Sequence, residues 1–159
     1  MKLKTLVNPA IAIAAGCIAA CGFPPNGIGL LTLIGFAAIA SRLPTVSARK
    51  AGLLTWLFGT AWHVVGLSWI SEAFYVTMPG IGAIALLAVL GLAILLASFM
   101  GGMAYLWRRY WPDANEINPS SMLGLAGALS VGEWLMGHAL TGFPWTTISL
   151  AFADTAIAR

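Results

Sequence analysis

Long apolar runs with short polar punctuation dominate this chain. No Asp, Glu, Lys or Arg occurs in residues 5–41, 51–71, 73–107 or 117–132. A helix needs about 20 mainly apolar residues to cross about 30 Å of hydrocarbon. The first and third runs exceed one such span, and Phe23-Pro24-Pro25-Asn26-Gly27 divides the first. That segment removes backbone donors and favours a turn. The pattern predicts spans over about 6–22, 27–41, 53–75, 84–107 and 122–140. The expected fold class is an all-α polytopic membrane protein, with about five transmembrane helices and an outer interfacial segment in a single domain over 1–159.

The charges then orient the spans. Lys2 and Lys4, Arg42, Arg49 and Lys50, and Arg108 and Arg109 fall in alternate gaps, so the excess of Lys and Arg in cytoplasmic loops places the N-terminus in the cytoplasm. The Pro24-Pro25 turn, Thr77–Gly80 and Gly142-Phe-Pro-Trp145 are expected on the opposite side. Aromatic residues gather where helix ends should meet the interface, at Phe74/Tyr75, Tyr105/Trp107/Tyr110/Trp111 and Phe143/Trp145. Small residues at four-residue spacing, Ala12, Gly16 and Ala20, permit close helix approach in lipid.

Composition excludes several classes of function. Only 8% of residues are charged and 60% are hydrophobic, against roughly 25% charged in soluble domains. The net charge of +3 is too small and too scattered to track a phosphate backbone, so nucleic acid is not an expected partner. Cys17 and Cys21 are four apart on one helical face, a poor geometry for a disulfide. Lys2/Lys4, an apolar run and Ile18-Ala-Ala-Cys21 also match a lipoprotein signal peptide. That reading is disfavoured, because four more spans follow rather than a soluble domain.

Candidate chemistry is sparse. Glu133 lies in the fifth apolar segment, where a carboxylate is expensive and faces a bundle interior or water. Its two readings are a substrate-facing or structure-organising carboxylate, and a carboxyl hydrogen-bonded between helices. Glu72 is expected at the outer interface, in contact with solvent or headgroups. His63 and His138 lack a Cys, Asp or Glu cluster at ligand spacing, so neither a metal nor a cofactor is expected. Trp62 and Trp69 are seven apart and should share one helical face, with Gly59 and Gly66 flanking it. No Gly-rich phosphate loop, paired catalytic carboxylates or Ser-His-Asp arrangement is present in the sequence.

Three segments together resemble the N-terminal membrane domain of bacterial apolipoprotein N-acyltransferases, particularly the alphaproteobacterial type. They are Phe23-Pro24-Pro25; Trp56-Leu-Phe-Gly59 leading to Gly66-Leu-Ser-Trp69-Ile-Ser-Glu72; and Glu133-Trp134-Leu135, Gly137-His138 and Leu140-Thr-Gly-Phe-Pro-Trp145. The resemblance implies an inner-membrane enzyme that moves an acyl chain from a phospholipid to the N-terminal cysteine of a lipoprotein. In the family a nitrilase-like domain with a Glu-Lys-Cys triad carries the thioester, with an activated thiolate as nucleophile. The membrane domain would supply anchoring, lateral lipid entry and space for acyl chains. Membrane phospholipid and a lipoprotein substrate are the partners so implied, and Glu133, His138, Trp145, Trp69 and Glu72 are the candidate lipid- or substrate-facing residues.

This chain departs from that pattern. It has no Cys after Cys21 and no Lys after Lys50, so no catalytic residue carries over. Met136 stands where the family has Arg, and Ser149-Leu150 where it has Gly-Tyr. The expectation is a truncated or fragmentary acyltransferase-like copy, inactive alone. A non-enzymatic membrane module that binds lipid or a membrane protein is the alternative. A transporter subunit is weaker, since neither an inverted repeat nor paired broken helices is evident.

Overall fold

The computed structural model describes residues 2–77, 80, 82–139 and 146–153, and these are helical without a strand. Six α-helices follow in order: α1 Lys2–Ala20, α2 Gly29–Ala40, α3 Ala48–Gly66, α4 Trp69–Thr77, α5 Gly82–Tyr110 and α6 Pro119–Ala139. Short 3-10 segments occupy Leu43–Thr45 and Ile148–Phe152.

The helix ends have local causes. α1 closes with tight bonds from Cys21, Gly22 and Phe23 N–H groups to the carbonyls three residues back. Pro24 and Pro25 then remove two donors, and Gly27 takes φ +63, a backbone conformation that costs glycine little. α6 opens on Asn118, whose Oδ1 accepts the Ser121 N–H at 2.8 Å, with Pro119 in the first helical position.

The expected continuous span over 53–75 is broken. α3 stops at Gly66, and α4 restarts at Trp69 with a 45° bend. No proline causes this. Ser68 Oγ and Ser68 N–H both donate to the Val65 carbonyl, at 2.8 and 3.3 Å, beside a glycine. A side chain competing for a helix carbonyl next to Gly is a recognised cause of kinking. The shared face expected for Trp62 and Trp69 is lost with it: Trp62 is 1% exposed and Trp69 59%.

α3 is the central helix, with α1 against one side and α5 against another. α2 packs outside α1, and α6 outside α5. Glycines mark the closest approaches. Gly16 of α1 faces the Phe58 carbonyl and Ala61 of α3, Gly35 of α2 faces Ala15 and Ala19, and Gly52 of α3 abuts Gly101 of α5. These pairings make α1 and α3 parallel, and α2 and α5 antiparallel to them.

One end of the bundle therefore holds the start of α1, the 41–50 connection, and Arg108 and Arg109. Arg108 Nε fastens that end by donating to the Val46 carbonyl at 2.9 Å. The other end holds the Pro24-Pro25 turn, α4, the end of α6 and Ile148–Phe152.

The exterior is apolar, with Leu30, Leu33, Leu86, Leu87, Leu123 and Trp134 all more than half exposed. Water-facing surfaces rarely carry so continuous an apolar cover. α5 is long and apolar enough over Ile84–Tyr110 to cross a bilayer alone, and α3 with α4 meets the same measure if the bent pair counts as one span. The segments Asn8–Ala20 and Gly29–Thr45 are shorter apolar helices. Five independent crossings are thus more than helix length alone establishes.

Candidate functional site

The end opposite the basic residues gathers the polar groups that matter. Glu133 reaches that end on the last turns of α6, half-buried, and its Oε1 accepts the Ile148 N–H at 2.9 Å. Ile148 begins the second 3-10 segment, so the carboxylate satisfies a donor that the short helix cannot. Trp62, buried in α3, donates from Nε1 to the Thr146 carbonyl at 3.1 Å. Thr146 itself sits at φ +28, a strained conformation for a β-branched residue. The strand of chain over 146–148 is thus held from two helices at once.

Packing completes the attachment. Phe23, in the turn after α1, places its ring 4.4 Å from the Trp62 indole, and Phe36 of α2 approaches the same indole edge-on at 5.4 Å. The 3-10 segment lies over the start of α2, where a side chain at Gly29 would meet the Ala151 carbonyl at 2.9 Å. Glu133 thus links α6 to the segment after it through one hydrogen bond.

The other sequence candidates are placed apart from this tie. Trp69 and Glu72 are exposed on α4, and His138 is exposed on α6. The His138 ring stacks on Trp134 at 4.4 Å, and its Nδ1 lies 2.7 Å from the Trp134 carbonyl. Among the described residues none of the three shares a hydrogen bond or ring contact with Glu133. Trp145, with the rest of Gly142-Phe-Pro-Trp145, lies outside the described residues. Thr146 and Ile148 escaped the sequence reading, since a lone Thr and a lone Ile carry no pattern. Only their position fifteen residues or fewer after Glu133 hinted at them.

The described residues hold no group of three His, Cys, Asp or Glu side chains able to bind a metal. Cys17 is exposed on α1, and Cys21 Sγ donates to the Cys17 carbonyl at 3.4 Å. Neither thiol lies in the Glu133 site. The hydrogen bonds from Ile148 to Glu133 and from Trp62 to Thr146 hold the 146–148 segment against one end of the bundle.

The tie is testable by amide exchange at Ile148. Glu133→Gln keeps an oxygen acceptor and should keep protection near wild type. Glu133→Ala leaves the N–H unpaired, costing about 1–3 kcal/mol, so protection should fall about fivefold or more. Equal protection in both variants would remove Glu133 from this role.

An all-helical bundle with an apolar exterior and a segment tied back across one end defines the class. The chain belongs to the apolipoprotein N-acyltransferase N-terminal domain family, whose sequence profile matches residues 15–159. It is similar to the apolipoprotein N-acyltransferase of Caulobacter vibrioides, with 38% identity over 145 residues, 87% of this chain and 26% of that protein. It is 32% identical over 148 residues to that of Rhizobium leguminosarum bv. trifolii, covering 87% of this chain and 27% of the relative. The Rhodopseudomonas palustris protein of the same name matches at 32% over 154 residues, 92% of this chain and 28% of the relative. The chain thus spans about a quarter of the length of these relatives.

Proposed function

We propose that these residues form the membrane domain of an apolipoprotein N-acyltransferase, crossing the bacterial inner membrane five times with the N-terminus in the cytoplasm. A phospholipid donor and a lipoprotein acceptor would meet at the end where Glu133 holds Ile148. The observation that carries this reading is the polarity of the bundle. Basic residues collect at one end, while the tied segment lies at the other, the face on which the family's chemistry would take place.

By itself the chain should transfer no acyl group. Thioester formation needs an activated thiolate, and both thiols of these 159 residues lie on or at the end of α1. The test is growth of a strain depleted of its own acyltransferase. The chain alone should give no rescue. Fused in place of the corresponding quarter of the Caulobacter vibrioides relative, it should restore growth and lipoprotein N-acylation. Rescue by the chain alone would overturn the assignment of chemistry elsewhere. A folded, membrane-inserted fusion without activity would overturn the domain assignment.

A further inference from the structure

At the basic end of the bundle the connection between α2 and α3 is pinned from several directions. Leu43 and Pro44 are buried, and the Thr45 hydroxyl donates to the Arg42 carbonyl at 2.8 Å. The Val46 N–H donates to the Leu43 carbonyl at 3.3 Å. Arg108 of α5 grips this turn, its Nε donating to the Val46 carbonyl at 2.9 Å. A guanidinium held through Nε keeps its terminal N–H donors in one plane, an arrangement that matches phosphate oxygens.

Other cations gather around that guanidinium. Gly52 of α3 lies against Tyr105 of α5, where an added Cβ would be 3.0 Å from the Tyr105 Cβ. The two helices run antiparallel, so the turn before Gly52 lies beside the turn beyond Tyr105. Arg49 is thereby set next to Arg108, with Lys50 following it. Arg109 is exposed and lies over the Tyr110 ring at 5.3 Å, and the exposed Arg42 opens the gripped turn.

This charge is not neutralised from within. No carboxylate oxygen of the described residues lies within 4.0 Å of these side-chain nitrogens. Asp113 and Glu116 are the acidic residues of the next connection, and the Glu116 carboxylate accepts from the Asn118 amide at 3.4 Å. The first turn of α3 carries Arg49 and Lys50 without an acidic residue, and the positive end of a helix repels cations. Like charges held together destabilise the compact state, and an anion from outside would relieve them.

The adjoining surface indicates where that anion comes from. Leu53 is exposed one turn after Arg49 on the same face of α3, and Leu106 is exposed three residues before Arg109 on α5. Tyr110 and Trp111 are exposed at the same level, as aromatic residues are at a headgroup boundary. A soluble anion makes no use of these apolar positions. A phospholipid uses both, with its phosphate among the cations and its chains along the outer wall. A zwitterionic headgroup would bring an ammonium into the cluster, so the charge balance favours an anionic one.

We propose that Arg108, with Arg42, Arg49, Lys50 and Arg109, seats the headgroup phosphate of an anionic phospholipid from the leaflet at the basic end. The lipid lies outside the bundle, at the end opposite Glu133, and takes no part in acyl transfer. It braces the connection between α2 and α3 against α5. The proposal rests on the membrane reading above and on no step of the acyltransferase chemistry.

The test places the purified full chain in nanodiscs of phosphatidylethanolamine and phosphatidylglycerol in equal amounts. Lipids that stay bound on release are identified by native mass spectrometry. Phosphatidylglycerol should be retained several-fold over phosphatidylethanolamine. Arg49→Gln and Arg109→Gln should each lower that preference about fivefold, the equivalent of the roughly 1 kcal/mol that a basic residue near an anionic surface contributes. Arg49→Lys, which keeps the charge and loses the planar fork, should lower it less. Lys2→Gln, which removes an equal charge from α1, should leave it nearly unchanged.

Equal losses in Lys2→Gln and Arg49→Gln would make the attraction a diffuse surface field and overturn the site. Displacement of the lipid by excess inorganic phosphate would overturn the lipid assignment in favour of a soluble anion. A chain that enters the nanodisc and retains both lipids equally overturns the proposal and leaves the membrane reading standing. A chain that stays out of the nanodisc overturns both.

Discussion

Trp62→Ala is expected to destabilise the bundle by about 3 kcal/mol, the low end of the usual cost of emptying a buried aromatic site. The low end applies because the unfolded reference in a membrane still surrounds the indole with hydrocarbon, so little transfer energy is lost. What is lost is packing. The indole meets Phe23 at 4.4 Å and Phe36 at 5.4 Å, and stacks near Phe58 at 6.5 Å. Two helices, α2 and α3, and the turn after α1 therefore share one void in the variant. The Thr146 carbonyl also loses the donor that holds it at 3.1 Å. Trp62→Phe separates these effects, because it keeps most of the packing and loses the hydrogen bond, for about 1 kcal/mol. Reversible unfolding in mixed micelles would rank the three proteins. If Trp62→Ala fell within 1 kcal/mol of wild type, the aromatic cluster would not be what joins α1, α2 and α3 at this end.

The location of helices was legible in the sequence because uncharged runs mark their apolar middles, with the basic residues near their ends. Uncharged runs, the Pro24-Pro25-Asn26-Gly27 turn and the basic gaps placed α1, α2, α5 and α6 close to their observed positions. Which face each helix buries was much less legible. In a soluble protein, alternation of apolar and polar residues points to the core, but here both faces are apolar. Leu54 is 1% exposed and Leu53, its neighbour, 51%, and nothing in their chemistry distinguishes them. Size did better than polarity. Ala12 and Ala20 are buried at 0% and 2%, while Ile13 and Ile18 of the same helix are 44% and 41% exposed. In α1, small residues line the helix contacts and the large ones face outward.

Two features stayed hidden for different reasons. The kink after Gly66 depends on a hydroxyl choosing the Val65 carbonyl, a local competition that Ser68 enters without any proline to announce it. Glu133 was legible as a residue that must find a partner, since an unpaired carboxylate in that setting is costly. Its partner was not, because Ile148 offers a backbone N–H, which every non-proline residue has.

The face-by-size rule gives a second large effect. Gly35→Leu is expected to cost about 3 kcal/mol, the upper range for overpacking a close contact. A Cβ at residue 35 would lie 2.6 Å from the Ala19 Cβ and 2.9 Å from the Ala19 nitrogen. Both belong to the α1 backbone or its first side-chain carbon, so no rotamer change relieves them, and the helices must separate. Separation breaks the bond from Thr32 Oγ1 to the Ala19 carbonyl, 2.8 Å in a buried position. The neighbouring Ile34→Ala, at a position 47% exposed, should stay within about 0.5 kcal/mol, as surface changes do. The contrast isolates the contact from general effects on α2. Because Ile148–Phe152 rests on the start of α2, Gly35→Leu should also lower amide protection at Ile148 while Glu133 is intact. Wild-type stability in Gly35→Leu would mean that α1 and α2 do not meet closely, and the layer order α2, α1, α3 would have to be redrawn.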